Sequence, residues 1–148
     1  MSTCIGSGGE TKFMARRRSS IGFFGRFGRS RDLQQLDEAL RALDVHPSTV
    51  TEAVKLTIVN LLKDQAIGDE PAPQTYRVAA EMIAYCAQGR EPFERANGML
   101  LADAVERRIE QAVAAGGSLD AHLILLALEA RLIQPSVVQQ FELDSEPG

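Results

Sequence analysis

Apolar residues recur along this chain at spacings of three and four, the period of one helix face, from about residue 32 onward. Leu33, Leu36, Leu40 and Leu43 predict a first helix over Asp32–Leu43, with Asp32 and Gln35 as its capping box. The turn Asp44-Val45-His46-Pro47 ends it, because the residue before a proline avoids helical backbone. A second helix is predicted over Val50–Ala66, opened by Thr49 with Glu52. Val50, Val54, Ile58, Leu61 and Leu62 form its inner face, and Leu56 and Val59 widen it, so it is expected to be central. The Pro- and Gly-rich loop from Gly68 to Pro73 follows.

A third helix is predicted over Pro73–Gln88, with Gly89 as its C-terminal cap, and a short one over Pro92–Asn97. The next runs from Met99 to Ala115, with Leu101, Val105, Ile109, Ala112 and Val113 inward and an Asp103–Arg107 pair on the wet side. After Gly116-Gly117, the segment Ser118–Leu132 is nearly all apolar and is expected to be the most buried helix. A last short helix is predicted from Pro135 to Phe141. Alternating strand patterns are absent. The expected fold is therefore all-α: a single-domain bundle of about five main helices plus one or two short ones, over residues 32–141. A flexible, disordered basic arm, residues 1–31, precedes it, and a loose acidic tail, residues 142–148, follows. Ala39–Val50 and Ala127–Val138 agree at six of twelve aligned positions. Two copies make no repeat array, and the echo reads as one local solution used twice.

Composition sharpens this picture in one respect. The chain has 148 residues, 45% of them hydrophobic but only 5% aromatic, which suits close helix packing around Ala and Leu. No stretch approaches the roughly 18 apolar residues of a membrane span. Residues 1–30 lack the apolar core of a secretory signal, so a cytoplasmic protein is expected. Cys4 and Cys86 read as free thiols, Cys86 as a small buried hydrophobe. Met14 is an alternative start, in which case residues 1–13 are not part of the native protein.

Charge divides the chain. Residues 1–31 carry seven cationic side chains against Glu10, or +6, whereas residues 32–148 carry nine basic and nineteen acidic ones, or −10. The candidate contact residues of the arm are Arg16, Arg17, Arg18, Phe23, Phe24, Arg26, Phe27, Arg29 and Arg31. Three phenylalanines among arginines fit either a strap onto the helical body or contact with nucleic acid or an anionic membrane.

Catalytic patterns are missing. His46, in a turn, is expected to be exposed or capping, and His122, in the apolar helix, to be a buried histidine paired with a carboxylate or carbonyl. No zinc-ligand spacing exists, and no cofactor is expected. Gly6 to Lys12 is glycine-rich but lacks the spacing, the preceding strand and the following helix of a phosphate loop. A DNA-reading helix is equally poorly supported, since Lys55, Asn60 and Lys63 sit on an otherwise apolar or acidic helix.

Three function classes remain. The first is a non-enzymatic interaction or regulatory domain working through contacts with an unknown protein partner, with a homodimer as one form. The second is a binder of nucleic acid or anionic membrane through the arm. The third is an enzyme or carrier with a pocket between helices, for which Tyr76, Tyr85, Cys86 and His122 are the residues to inspect.

Overall fold

The computed structural model describes residues 25–66 and 70–143, with side chains from residue 31 onward. The expectations for residues 1–24, for the loop residues 67–69 and for the tail residues 144–148 lie outside the described residues. Packing divides the chain into two units, residues 1–35 and 36–148. Of the first, the described part is the opening of helix α1, which runs over Gly25–Ala42. The second holds the rest of α1, a short 3-10 turn at Pro47–Thr49, and six further helices: α2 (Glu52–Ala66), α3 (Pro73–Gln88), α4 (Arg90–Asn97), α5 (Met99–Ala115), α6 (Leu119–Glu129) and α7 (Pro135–Phe141). The fold is all-α, with no strand among the described residues.

Helix α1 starts seven residues before the predicted position, so Asp32 lies in its interior rather than at its cap. The stripe Leu33, Leu36, Leu40 and Leu43 is buried throughout. The cap of α2 is also displaced. The Thr51 hydroxyl, not that of Thr49, accepts from the Val54 amide at 3.3 Å. His46 caps the 3-10 turn: its Nδ1 accepts from the Ser48 amide at 3.1 Å, with the Ser48 hydroxyl at 2.7 Å.

The centre is α3, and this corrects two expectations. Half of its sixteen residues are buried, namely Tyr76, Ala79, Ala80, Met82, Ile83, Ala84, Tyr85 and Cys86. Helix α2 buries only Val54, Ile58, Val59 and Leu62, and leaves Leu56 exposed. Helix α6, expected to be the most buried, buries Leu123, Ile124 and Ala127 and exposes Leu125. Small side chains explain the position of α3. Three alanines and a cysteine on its inner surface, Ala79, Ala80, Ala84 and Cys86, let neighbouring helices approach closely, while Tyr76 and Tyr85 fill its two ends. Phe93 of α4 packs edge-on against Tyr85, with ring centres 5.4 Å apart.

Helix ends supply much of the definition. Gly89, at φ 85°, joins α3 to α4, and a Cβ there would stand 3.3 Å from the Ser136 hydroxyl. Three helices end on non-glycine residues in the left-handed region: Asp44 after α1, Arg131 after α6 and Glu142 after α7. Each closes the same way, by paired bonds spanning five and three residues. These are Val45 N to Leu40 O with Asp44 N to Arg41 O, Leu132 N to Ala127 O with Arg131 N to Leu128 O, and Leu143 N to Val138 O with Glu142 N to Gln139 O. The repeated Ala-Leu…Pro-Ser segment thus shares a helix-stop motif in its two copies. The copies then diverge, one into a three-residue 3-10 turn and the other into α7.

Side chains satisfy the remaining carbonyls. Gln88 and Asn97 both donate to the Leu43 carbonyl, at 3.3 and 3.1 Å. The Gln134 amide side chain donates to the Ala87 carbonyl at 2.9 Å, while its backbone N–H donates to Cys86.

Candidate functional site

Three places have the side chains or the shape to be a site: two arginine-centred polar seams and one apolar groove.

The first seam gathers on Arg90, at the start of α4. Its guanidinium lies 2.9 Å from each of Glu94 Oε1, Asp103 Oδ1 and Glu106 Oε1. Asp103 therefore pairs across helices with Arg90, rather than along its own helix with Arg107. The Tyr85 hydroxyl donates to Glu106 Oε2, which also accepts from Gln140 Nε2 at 3.3 Å. Burial, the hydrogen bond to Glu106 and the Glu106 charge hold the Tyr85 phenol well above its ordinary pKa. That phenol is a fixed donor and not a nucleophile. Hydrogen bonds to Glu94 and Asp103 raise the Arg90 pKa further above its ordinary value. An open polar cleft of about 540 Å³ runs beside this seam, lined by Gln88, Arg90, Glu91, Glu94, Ser136 and Gln140 among others.

The second seam gathers on Arg108 of α5. It grips Asp120 with two bonds of 3.0 and 2.7 Å, Glu81 at 3.1 Å and the Val78 carbonyl at 3.0 Å. A bidentate pair with two further acceptors fixes the guanidinium plane and ties α3, α5 and the first turn of α6 together. In both seams each guanidinium is already engaged by carboxylates of the protein itself. Their arrangement is that of inter-helix fasteners, and no general base stands beside an activated nucleophile.

The residues singled out for a catalytic reading do not converge. Tyr76, Tyr85 and Cys86 are buried on α3, whereas His122 is exposed on α6. His122 was expected to be buried. It is exposed, although its partner is a carbonyl, one of the two kinds expected: Nδ1 donates to Ser118 O at 2.9 Å, back along its own helix. Burial pushes the Cys86 thiol up to about 12, which makes it chemically inert at neutral pH. Among the described residues no group of His, Cys, Asp or Glu is arranged to hold a metal ion. No single described helix is long and apolar enough to cross a membrane.

Of the arm residues, Arg16, Arg17, Arg18, Phe23 and Phe24 lie outside the described residues. Arg26, Phe27 and Arg29 stand on the backbone of α1, and Arg31 is exposed on the same helix.

The apolar groove lies where α5 turns into α6. The two helices meet at 94° across Gly116-Gly117-Ser118. Ser118 caps α6, its hydroxyl accepting from the Ala121 amide at 3.1 Å, and this fixes the angle of departure. Gly116 and Gly117, at φ 70° and 74°, make the corner in backbone that other residues resist. The corner opens a cavity of about 310 Å³. Ala112 and Val113 of α5 form one wall, Ala121, Ile124, Leu125 and Leu128 of α6 the other, and Glu142 and Leu143 after α7 close the end. Val113 is 51% exposed and Leu125 54% exposed, on facing walls. Val113 was expected to point into the core. It instead lines this surface.

No protein-family model, curated protein or solved structure matches this chain.

Proposed function

We propose that this protein is a non-enzymatic interaction module that receives an apolar segment of a protein partner in the α5–α6 groove. The observation that carries this reading is the pairing of Val113 and Leu125, two branched apolar side chains held open to water on opposite walls of a preformed cavity. A groove of about 310 Å³ stands at the lower end of the range for specific pockets, about 300–1,000 Å³. Its lining offers one carboxylate and otherwise aliphatic and glycine surface, which suits burial and not chemistry.

The same lining selects the mode of recognition. Strand addition needs an exposed sheet edge, and the described residues contain no strand. Polyproline recognition needs aromatic walls, and the groove has none. An amphipathic helix laid into an apolar groove is the mode left by this geometry.

A comparison of Leu125→Glu with the parent chain in pull-downs from native lysate tests the reading. The parent should retain a defined partner at near-stoichiometric yield, and the variant should lose it. Equal recovery by both chains, or turnover found in a metabolite screen, would overturn it.

A second reading rests on the +6 charge of residues 1–31 against the −10 of the remainder. In it, Arg16 to Arg31 bind nucleic acid or an anionic membrane. Because α1 begins at Gly25, truncation should stop at residue 24 and leave the helix whole, with Arg26, Arg29 and Arg31 changed to Gln in the same chain. Loss of low-salt binding to DNA, RNA or anionic vesicles would support this reading, and unchanged binding would remove it.

A further inference from the structure

The chain has two asparagines, and the residues after them set them apart. Asn60 precedes Leu61, whose branched side chain shields its own backbone nitrogen. Asn97 precedes Gly98, which has no side chain and is exposed. Asn-Gly is the pair in which a side-chain amide is most readily attacked by the following backbone nitrogen. The fold holds both partners of that reaction apart. Asn97 is the last residue of α4, and its Nδ2 donates to the Leu43 carbonyl at 3.1 Å. The Gly98 N–H donates to the Glu94 carbonyl at 2.7 Å. In a helix the Cα–Cβ bond tilts toward the N-terminus, so the Asn97 side chain leans back from the Gly98 nitrogen. Leu43, the acceptor, is buried at the stop that ends α1, and Gln88 Nε2 gives its carbonyl a second bond at 3.3 Å.

We infer that Asn97 is a deamidation site guarded by the end of α1. It stays an amide while the Leu43 carbonyl holds it, and it converts when that end opens away from α4. In the step, the Gly98 nitrogen attacks Asn97 Cγ and a C–N bond forms. The Cγ–Nδ2 bond breaks, and ammonia leaves with the proton that the Gly98 nitrogen gave up. Water then opens the five-membered imide at either of its carbonyls, leaving aspartate or isoaspartate. The change is one-way, and it removes the latch. A carboxylate at position 97 has no proton to give Leu43 at neutral pH. It stands instead against that carbonyl, at the C-terminal ends of α1 and α4, where helix dipoles disfavour negative charge. Isoaspartate also adds a methylene to the backbone between α4 and α5.

Incubation of the full-length protein at mildly alkaline pH, followed by peptide mass mapping with isoaspartate detection, tests this. Residue 97 should convert at least about tenfold faster in guanidinium than in native buffer, with Asn60 far behind in both. Leu43→Ala, which removes the buried anchor of the α1 end, should speed conversion in native buffer while circular dichroism stays helical. Gln88→Ala takes away the carbonyl's other donor without emptying the core, and it should act the same way to a smaller extent. Asn97→Asp should melt below Asn97→Ala, because repulsion adds to the lost donor. Equal rates in the folded and unfolded chain, or no conversion of residue 97 in either, would overturn the guarded site. A native-buffer rate left unchanged by Gln88→Ala and by a folded Leu43→Ala would overturn the end of α1 as its guard. Asn97→Asp melting with the parent chain would overturn the release.

Discussion

Helices α3 and α6 lie side by side in composition and far apart in fate. Six of the eleven residues of α6 are Leu or Ile, against one, Ile83, of the sixteen in α3, yet α3 is the helix that disappears into the interior. Apolar content measures what a helix could bury, and neighbours decide what it does bury. Helix α3 meets partners on several sides, sealed by Arg108 above Glu81 and by Tyr85 above Glu106. Helix α6 leaves a right-angled corner with one flank uncovered. Its surplus of leucine has no use in the isolated fold, which is why the corner and not the centre carries the functional reading.

The sharpest way to break this comparison is to truncate one large side chain in each region. Phe93→Ala should cost about 3–5 kcal/mol, since the ring is fully buried against Tyr85. Leu125→Ala should cost less than about 1 kcal/mol in the same urea titration. Comparable losses would mean that α6 is core and that the groove is only a packing defect.

Alkaline pH separates the regions without mutation. The Cys86 thiol has its folded pKa raised from 9.0 to about 12 by burial. The folded chain therefore keeps a proton that the unfolded chain gives up, and stability falls as pH rises from about 9 toward 12. The slope from this group approaches about 1.4 kcal/mol per pH unit. Tyr85 shifts in the same direction and steepens the fall above pH 10. Cys86→Ala should flatten the lower part of that curve. With Cys4 replaced by Ser, thiol reagents should reach Cys86 only on unfolding.

Smaller effects test the fasteners and the helix stops. Arg108→Met should cost about 2–3 kcal/mol by leaving Glu81 and Asp120 without their shared cation in a partly buried seam. The loss should be much the same in high salt, because the pair is only 20% exposed on the arginine side. Asp44→Gly should raise stability by about 0.5–1 kcal/mol, because glycine holds φ 68° without the Cβ clash. Thermal melts resolve both changes.

Much of this fold is legible from the sequence. The 3.6-residue period and the punctuation by Pro73, Gly89, Gly98, Gly116 and Pro135 locate helices α2 to α7 to within a few residues. The start of α1 is not legible, because Gly25 to Arg31 carries neither an apolar stripe nor a cap. The seams are also hidden: Arg108 and Glu81 are 27 positions apart, and pairing at that range depends on how helices cross. The Arg90–Glu94 and Arg77–Glu81 pairs, each one turn apart, do show in local spacing. The groove does leave a trace in the sequence. A helix apolar on every side, following a double glycine, has more surface than a small bundle covers. Taken as a sign of deep burial, that pattern misplaces Val113, Leu125 and His122 together.

One experiment tests the central claim most directly, by measuring unfolding free energy and recovery of the partner from native lysate on the same preparations of parent chain and Leu125→Glu. The account predicts stability within about 1 kcal/mol of the parent, as for a surface change, together with loss of most of the binding. A drop of several kcal/mol, or unchanged binding at unchanged stability, would contradict it.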